Sequence, residues 1–213
     1  MSTIELIPGI GPKKAEELKK KGVTAINDLY LLPNFSKLPI ESKLFLIYKP
    51  ELQIPRVFIK KIEELFKHNN IKGIITGSYR RNKKFSKDID FISFISSKKL
   101  LTILFKLDIK LYIHSEGNDK IGAILEIFNK RVRIDIWFPI KEERVFYLFY
   151  TTGNATFNII TRQLVKKKGY LLNRHGLFKK SGDNLIRVKN IKSEHDIFNF
   201  IGKPYLNPNE RDY

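Results

Sequence analysis

The spacing of apolar residues changes period near residue 70, and this change limits the folds open to the chain. Before it, apolar residues recur at helical spacing over 12–21, about 25–31 and 56–67. After it, β-branched and aromatic runs predict strands over 71–76, 89–95, 111–114, 121–128 and 131–137. Helical spacing returns from about residue 156 to Gly169, and a short β stretch and a helix over 194–201 follow. Helices, a mixed sheet and a small α/β end predict an α+β fold.

The charge of the chain points to an anionic partner. Lys and Arg number 40 against 22 Asp and Glu, so the formal net charge is +18. Residues 1–54, 55–140 and 141–213 carry +2, +9 and +7, which describes a continuous basic surface better than a detachable arm. A hydrophobic content of 42% is enough to build a core and excludes a disordered basic tail. Nucleic acid is the leading partner, a membrane surface the second, and charge that serves only solubility the third.

Several classes of protein are excluded by what the sequence lacks. Without cysteine there are no disulfides, zinc fingers or thiol nucleophiles. The N-terminus has neither the basic start nor the apolar stretch of a signal peptide. No apolar run approaches the roughly 20 residues of a membrane span. We therefore expect a soluble, intracellular monomer with no membrane partner.

A glycine-rich turn precedes the first helix. Gly9 and Gly11 allow a hairpin that presents backbone N–H groups to an anion, and Lys13 and Lys14 lie just inside the following helix. A nucleic-acid phosphate would be bound in such a place. The alternative is an ordinary tight turn between two short helices.

Two carboxylates lie two residues apart on a predicted strand. Asp88 and Asp90 share one face because side chains alternate along a strand, and a Gly77-Ser78 turn comes shortly before them. At a separation of about 4 Å, two such charges repel by roughly 4 kcal/mol at an effective dielectric of 20, so the pair calls for cations. Taken alone, the pair would also suit a solvated strand end.

A third carboxylate lies in the last strand of the sheet region. Asp135 shares a face with Arg133 and Trp137, while apolar residues occupy the other face. A lone acid in such a strand is costly unless it is paired. Three carboxylates on neighbouring strands form the oxygen-ligand set that Mg²⁺ prefers, and two such ions would activate a hydroxyl and stabilise a pyrophosphate leaving group.

The C-terminal third carries a more specific pattern. Its marks are Tyr150 to Asn154, Phe157 to Arg162 and a closing block over 193–211. Asn158 and Arg162 lie four residues apart on one helix, with an opposing apolar stripe predicted at Phe157, Ile160 and Leu164. With the Gly-Ser turn and the aspartates, these segments resemble the family X DNA polymerases of the polymerase beta type, from about Leu6 to Arg211.

The resemblance implies a role for each matching residue. Asp88 and Asp90 would bridge two Mg²⁺ ions, for which Mn²⁺ would substitute, and Asp135 would bind only the catalytic ion. The implied nucleotide-binding residues are Ser78, Arg81, Lys87, Tyr150, Gly153 and Asn158. Those implied for DNA are Gly9, Gly11, Lys13, Lys14, Arg133 and Arg162, with Na⁺ or K⁺ at the helix-hairpin-helix motif.

The resemblance also implies an organisation and a function. Residues 1–54 would form a thumb-like helix-hairpin-helix domain, 55–140 a nucleotidyltransferase palm and 141–213 a nucleotide-selecting domain. Because the match begins at the hairpin, we expect no amino-terminal lyase domain. The predicted function is template-directed addition of dNTPs to a primer on gapped or primer-template DNA, in short-gap repair. A template-independent nucleotidyltransferase and a non-catalytic DNA-binding module stay open as alternatives.

Overall fold

A computed structural model of the chain describes residues 3–31 and 33–212. In that part of the chain, helices α1 to α8 cover, in order, Pro12–Lys19, Ile40–Tyr48, Arg56–His68, Gly77–Arg80, Ser97–Lys106, Arg144–Thr152, Ala155–Lys167 and Glu194–Ile201. Strands β1 to β10 cover Ile54–Pro55, Gly73–Ile75, Phe85–Ser86, Ile89–Ser93, Lys110–Glu116, Lys120–Ile127, Lys130–Trp137, Tyr170–Asn173, Gly176–Ser181 and Asn184–Arg187. Short 3-10 helices lie at Thr3–Leu6, Ile26–Tyr30, Phe35–Lys37, Lys141–Glu143 and Pro208–Glu210.

The predicted α+β class is confirmed by a five-stranded mixed sheet in the order β2-β4-β7-β6-β5. Strands β4 and β7 are parallel neighbours, and the other pairs in this sheet are antiparallel. The strands β8, β9 and β10 form a second, antiparallel sheet, and β1 pairs with β3. The five predicted strands of the first sheet all form, with ends that shift by a few residues.

The helices were predicted less completely. The helices expected over 12–21, 56–67, 156–169 and 194–201 form as α1, α3, α7 and α8, but α2, α4, α5 and α6 were not predicted. The segment expected to be helical over 25–31 is a 3-10 helix. Its tight start follows from Asp28, whose carboxylate accepts hydrogen bonds from the backbone N–H groups of Thr24 and Ala25. Side chains that bond nearby backbone groups in this way favour turns over regular helix.

The two faces of the five-stranded sheet differ in character. Helices α3 and α5 cover one face, where Ile62, Leu100, Ile89 and Ile134 share a single buried cluster. The residues that alternate with Ile89 and Ile134 point to the opposite face, as the period of two requires. The carboxylates therefore lie on the face that α3 and α5 leave uncovered.

The regions before and after this sheet have cores of their own. Ile4, Ala15 and Leu29 belong to an N-terminal cluster, and Phe149, Phe157 and other residues form a C-terminal one. The boundaries at 54 and 140 stay predictions. No helix within residues 3–31 and 33–212 is long and apolar enough to cross a membrane.

The apolar stripe predicted on α7 is partly wrong. Phe157 and Val165 are buried together with Thr161, whereas Ile160 is 41% exposed. The buried residues are four apart, and Thr161 tolerates burial because its hydroxyl donates to the carbonyl oxygen of Phe157 at 2.9 Å. The buried stripe therefore passes through Thr161 and not through the neighbouring Ile160, which the sequence had predicted to be buried.

Candidate active site

The three predicted carboxylates come together at one end of the β4–β7 pair. The parallel register places Asp90 directly beside Asp135, and Asp88 immediately precedes the first residue of β4. All three are partly buried. The sheet thus brings together residues that are 45 positions apart in the sequence.

The carboxylates are electrostatically unfavourable to one another. Burial raises the pKa of Asp88, and the charge of Asp135 adds to the increase while Arg133 opposes it. Burial, followed by the charges of Asp88 and Asp135, raises the pKa of Asp90 to about 7. Carboxylates that share a low-dielectric site raise each other's pKa in this way unless cations neutralise them.

Side chains of the protein supply part of that neutralisation. The ammonium of Lys120, on β6, lies 2.7 Å from Oδ2 of Asp135. Arg133 lies 3.8 Å from Asp88 and 3.4 Å from Glu41, on α2. The indole N–H of Trp137 donates to Oδ1 of Asp90 at 3.4 Å. Arg133, predicted for DNA binding, therefore contacts two carboxylates in this structure.

The predicted phosphate turn abuts the carboxylates. A Cβ placed on Gly77 would come within 2.3 Å of Oδ2 of Asp90, and its backbone has φ +60, so only glycine fits there. The hydroxyl of Ser78 donates to Oγ of Ser86 at 2.7 Å. Lys87 is exposed beside Asp88. The turn and Asp90 thus form one surface.

Arg81 at the end of this turn is already held by the C-terminal region. Its Nη1 donates to the carbonyl oxygen of Thr152 at 2.9 Å, and its Nε lies 3.3 Å from Oδ1 of Asp212. Asp212 also pairs with Lys83 and accepts from Nδ2 of Asn154 at 3.3 Å. These contacts tie the phosphate turn to the start of α7.

Helix α6, the turn after it and α7 bring together the residues predicted to contact nucleotide and template. Nδ2 of Asn158 donates to the carbonyl oxygens of Tyr150 and Gly153 at 2.8 and 3.2 Å. The guanidinium of Arg162 lies 5.1 Å from the centroid of the Tyr150 ring. Tyr150 in turn packs edge-on against Trp137 at 6.1 Å. The predicted nucleotide-selecting side chains are therefore connected to the carboxylates through Trp137.

The predicted hairpin lies in the N-terminal region. Gly9 has φ +80, and a Cβ on it would come within 2.9 Å of Oγ of Ser42. Gly11 is the N-cap residue of α1, and Lys14, in its first turn, pairs with Glu17 at 3.3 Å. Lys13 is exposed. The helix-hairpin-helix motif and its contact with DNA both stay predictions.

The carboxylates fit a hard divalent cation in donor chemistry and charge. Asp88, Asp90 and Asp135 offer oxygen ligands of the kind that Mg²⁺ prefers. In residues 3–31 and 33–212, no group of three or more His, Asp or Glu side chains is arranged around a common metal position. In this structure the three aspartates contact Arg133, Trp137 and Lys120.

Three features of the site were not predicted from the sequence. They are the Lys120–Asp135 pair, the Asp212 contacts and a buried network in which Glu194 joins Arg80 to Arg211. Lys120 had a usable signal, because it alternates with Gly122 on β6 and Gly122 lies opposite Asp135. The other two bring together distant parts of the chain and have no local pattern.

Comparisons with known proteins find similarity to DNA polymerases. Residues 147–212 match the family profile of the DNA polymerase beta thumb, which places that name on the C-terminal region and not on residues 1–54. Repair DNA polymerase X of African swine fever virus (strain Badajoz 1971 Vero-adapted) is 32% identical over 142 residues, which cover 65% of this chain and 80% of the viral protein.

Two cellular relatives match in different ways. DNA polymerase lambda of Arabidopsis thaliana is 28% identical in an alignment of 240 positions, which takes in 96% of this chain and 45% of the plant protein. DNA nucleotidylexotransferase of Xenopus laevis is 33% identical over 84 residues, which cover 39% of this chain and 16% of that protein. The plant match therefore extends over both regions that flank the five-stranded sheet.

Proposed function

The chain belongs to the family X DNA polymerases, and from that membership and the geometry of its site we propose that it fills short gaps in DNA by two-metal nucleotidyl transfer. It is a DNA-directed DNA polymerase of DNA repair, which excludes the alternative of a non-catalytic binding module. The observation that carries the finer proposal is the contact of the Gly77 turn with Asp90, beside Asp135 in the parallel register.

The carboxylates are proposed to hold the metal ions. Asp88 and Asp90 would serve both ions and Asp135 one of them. When bound, Mg²⁺ would neutralise the triphosphate and favour ionisation of the primer 3′ hydroxyl. Burial supports this role, because the site is short of positive charge in a low-dielectric position, where a carboxylate is costly without a partner.

The chain's own groups would orient the nucleotide. Ser78, Arg81 and Lys87 surround the turn at Asp90 and would bind the triphosphate, with Arg81 already fixed by Thr152 and Asp212. A group fixed before the substrate arrives loses less side-chain entropy on binding. Positioning of this kind accounts for much of the catalysis of phosphoryl and nucleotidyl transfer.

A templated reaction is favoured by α7. Asn158 and Arg162 lie one helical turn apart beside Tyr150, where we propose that Asn158 meets the minor-groove edge of the incoming base and Arg162 the template strand. Gly9, Gly11, Lys13 and Lys14, with a Na⁺ or K⁺ ion at the hairpin, would bind backbone phosphates. The net charge of +18 supports a large DNA footprint.

Primer extension tests the proposal. Gapped, nicked and single-stranded primers are each given one dNTP at a time with Mg²⁺, and Asp135→Ala serves as the inactive control. We expect incorporation directed by the template, with preference for the gapped substrate and none from Asp135→Ala. Indiscriminate tailing would support a template-independent transferase, and extension by Asp135→Ala would contradict the assigned carboxylates.

A further inference from the structure

We propose that Lys120 is a resident counterion of Asp135 which a divalent cation must displace, so that this lysine weakens metal binding at the active site. The inference rests on the proposed role of the carboxylates. It concerns a residue to which neither the resemblance nor the proposed mechanism assigns a part.

The strands place Lys120 for this role. Lys120 lies opposite Trp137 in the β6–β7 pair, and Gly122, two residues further along β6, lies opposite Asp135. Because long side chains reach diagonal neighbours on the same face of an antiparallel pair, the Lys120 stem can extend towards Asp135. Its ammonium then lies 2.7 Å from Oδ2 of Asp135 and 4.5 Å from the centroid of the Trp137 ring.

The charge of Lys120 acts on the whole carboxylate cluster. Burial raises the pKa of both Asp88 and Asp90, and the charge of Lys120 opposes part of that increase in addition to pairing directly with Asp135. Arg133 contacts Asp88 from the other side at 3.8 Å. The ammonium therefore lies against one of the three carboxylates that are proposed to hold a divalent cation.

The pair has the properties of a contact that opens. The side chains of Lys120 and Asp135 are 33% and 27% exposed, so water solvates both ions once they separate. Ion pairs with this much exposure contribute little to stability. The ring of Trp137 offers the ammonium a second, cation–π contact. A buried structural salt bridge would instead be expensive to break.

Trp137 provides a direct readout of the exchange. It is the only tryptophan in the chain, and its indole contacts both Lys120 and Asp90. Cation binding that moves either neighbour changes the surroundings of the fluorophore. Mn²⁺ adds a second signal, because this paramagnetic ion quenches a nearby indole.

The experiment is a titration of tryptophan fluorescence with Mg²⁺ alone and with Mn²⁺ alone, at constant ionic strength and without DNA or nucleotide. We expect Lys120→Met to bind either ion about tenfold more tightly than wild type, since a unit positive charge no longer competes for Asp135. Lys120→Arg keeps the charge and should stay within about threefold of wild type. Thermal unfolding without metal verifies that the variants are folded.

The matched control is Lys110→Met. Lys110 pairs with Glu126 at 3.1 Å on the same sheet, so this variant loses the same net charge away from the aspartates, and its metal affinity should equal that of wild type. Saturable binding with equal affinity in wild type and Lys120→Met would overturn the inference and leave the proposed function intact. An equal gain in Lys110→Met would also overturn it, because net charge alone would explain the change. No saturable response in wild type, together with no incorporation, would contradict both proposals.

Discussion

The replacement Glu194→Gln tests how the phosphate turn is held against the C-terminal region. The carboxylate of Glu194 is bound by Arg80 at 2.7 Å and by Arg211 at 2.5 Å. Glu194 is 6% exposed, and Arg211 is fully buried among the rings of Phe149, Phe198 and other aromatic residues. The amide keeps the volume of the side chain but removes its charge, which leaves a buried guanidinium without its counterion.

The structure indicates a large loss of stability. Removing one partner of a buried ion pair costs about 3–5 kcal/mol, because the remaining charge stays desolvated. For a chain of this size each kcal/mol lowers the unfolding midpoint by about 2–4 °C, so we expect a decrease of about 6–20 °C. Although burial alone would raise the pKa of Glu194, hydrogen bonds from Arg80 and Arg211 lower it. The stabilisation of the fold by ionised Glu194 is therefore complete above its unfolded pKa of about 4.3, and it is lost as the pH falls through the lower pKa of the folded protein.

Urea and thermal unfolding at pH 7 and at pH 3 measure this effect. The control is Glu16→Gln, which removes an ion pair with Lys20 whose side chains are 67% and 74% exposed, and it should change the free energy of unfolding by less than about 1 kcal/mol. The gap between wild type and Glu194→Gln should narrow at pH 3. If both variants lose equally little at pH 7, the buried network does not stabilise the protein as reasoned here.

Three other outcomes are expected. Asp90→Asn should stabilise the metal-free protein by an amount that grows from pH 4 to pH 8 and reaches at most about 4 kcal/mol, because a folded pKa of about 7 makes the ionised carboxylate unfavourable. Unfolding experiments across this pH range measure the difference in free energy of unfolding from wild type. A difference that does not change with pH would contradict the prediction. DNA affinity should decrease by at least about tenfold between 50 and 200 mM salt, because binding of this basic chain releases counterions from the DNA. Binding isotherms that are identical at the two salt concentrations would argue against contacts with many phosphates. Asp212→Asn should raise the KM for dNTP more than it lowers kcat, because Arg81 loses one of its two fixed partners. Steady-state kinetics measure both constants. An unchanged KM would show that Thr152 alone is enough to position Arg81.

Local pattern was sufficient to predict most of the sheet and the face on which the carboxylates lie. Alternation along a strand is a property of the backbone, so Asp90 must point away from the buried Ile89, and Asp135 away from Ile134. Apolar residues that recur at helical spacing predicted helices α3 and α8 in the same local way. It did not predict α4, a single turn of four residues that is too short to show a period.

Resemblance to a family predicted roles for individual residues but not which groups of the protein their side chains contact in this structure. Arg81, Arg133 and Asn158 were expected to meet substrate or DNA, and each contacts other groups of the protein in this structure. The partners of Arg81 and Arg133, Thr152 and Glu41, lie far away in the sequence. A motif records which residues are present, whereas their contacts depend on what the rest of the fold brings near them.

The sequence by itself determined the α+β class, the face of the carboxylates and the excess of positive charge, because these follow from local periodicity and composition. The tertiary structure alone decided that β4 and β7 are parallel neighbours, which places Asp90 beside Asp135. It also decided the pairing of Arg80 with Glu194, 114 residues away. Strand order and long-range ion pairs result from how whole elements pack, and the free energy of that packing is distributed over many contacts. No short window of sequence contains it.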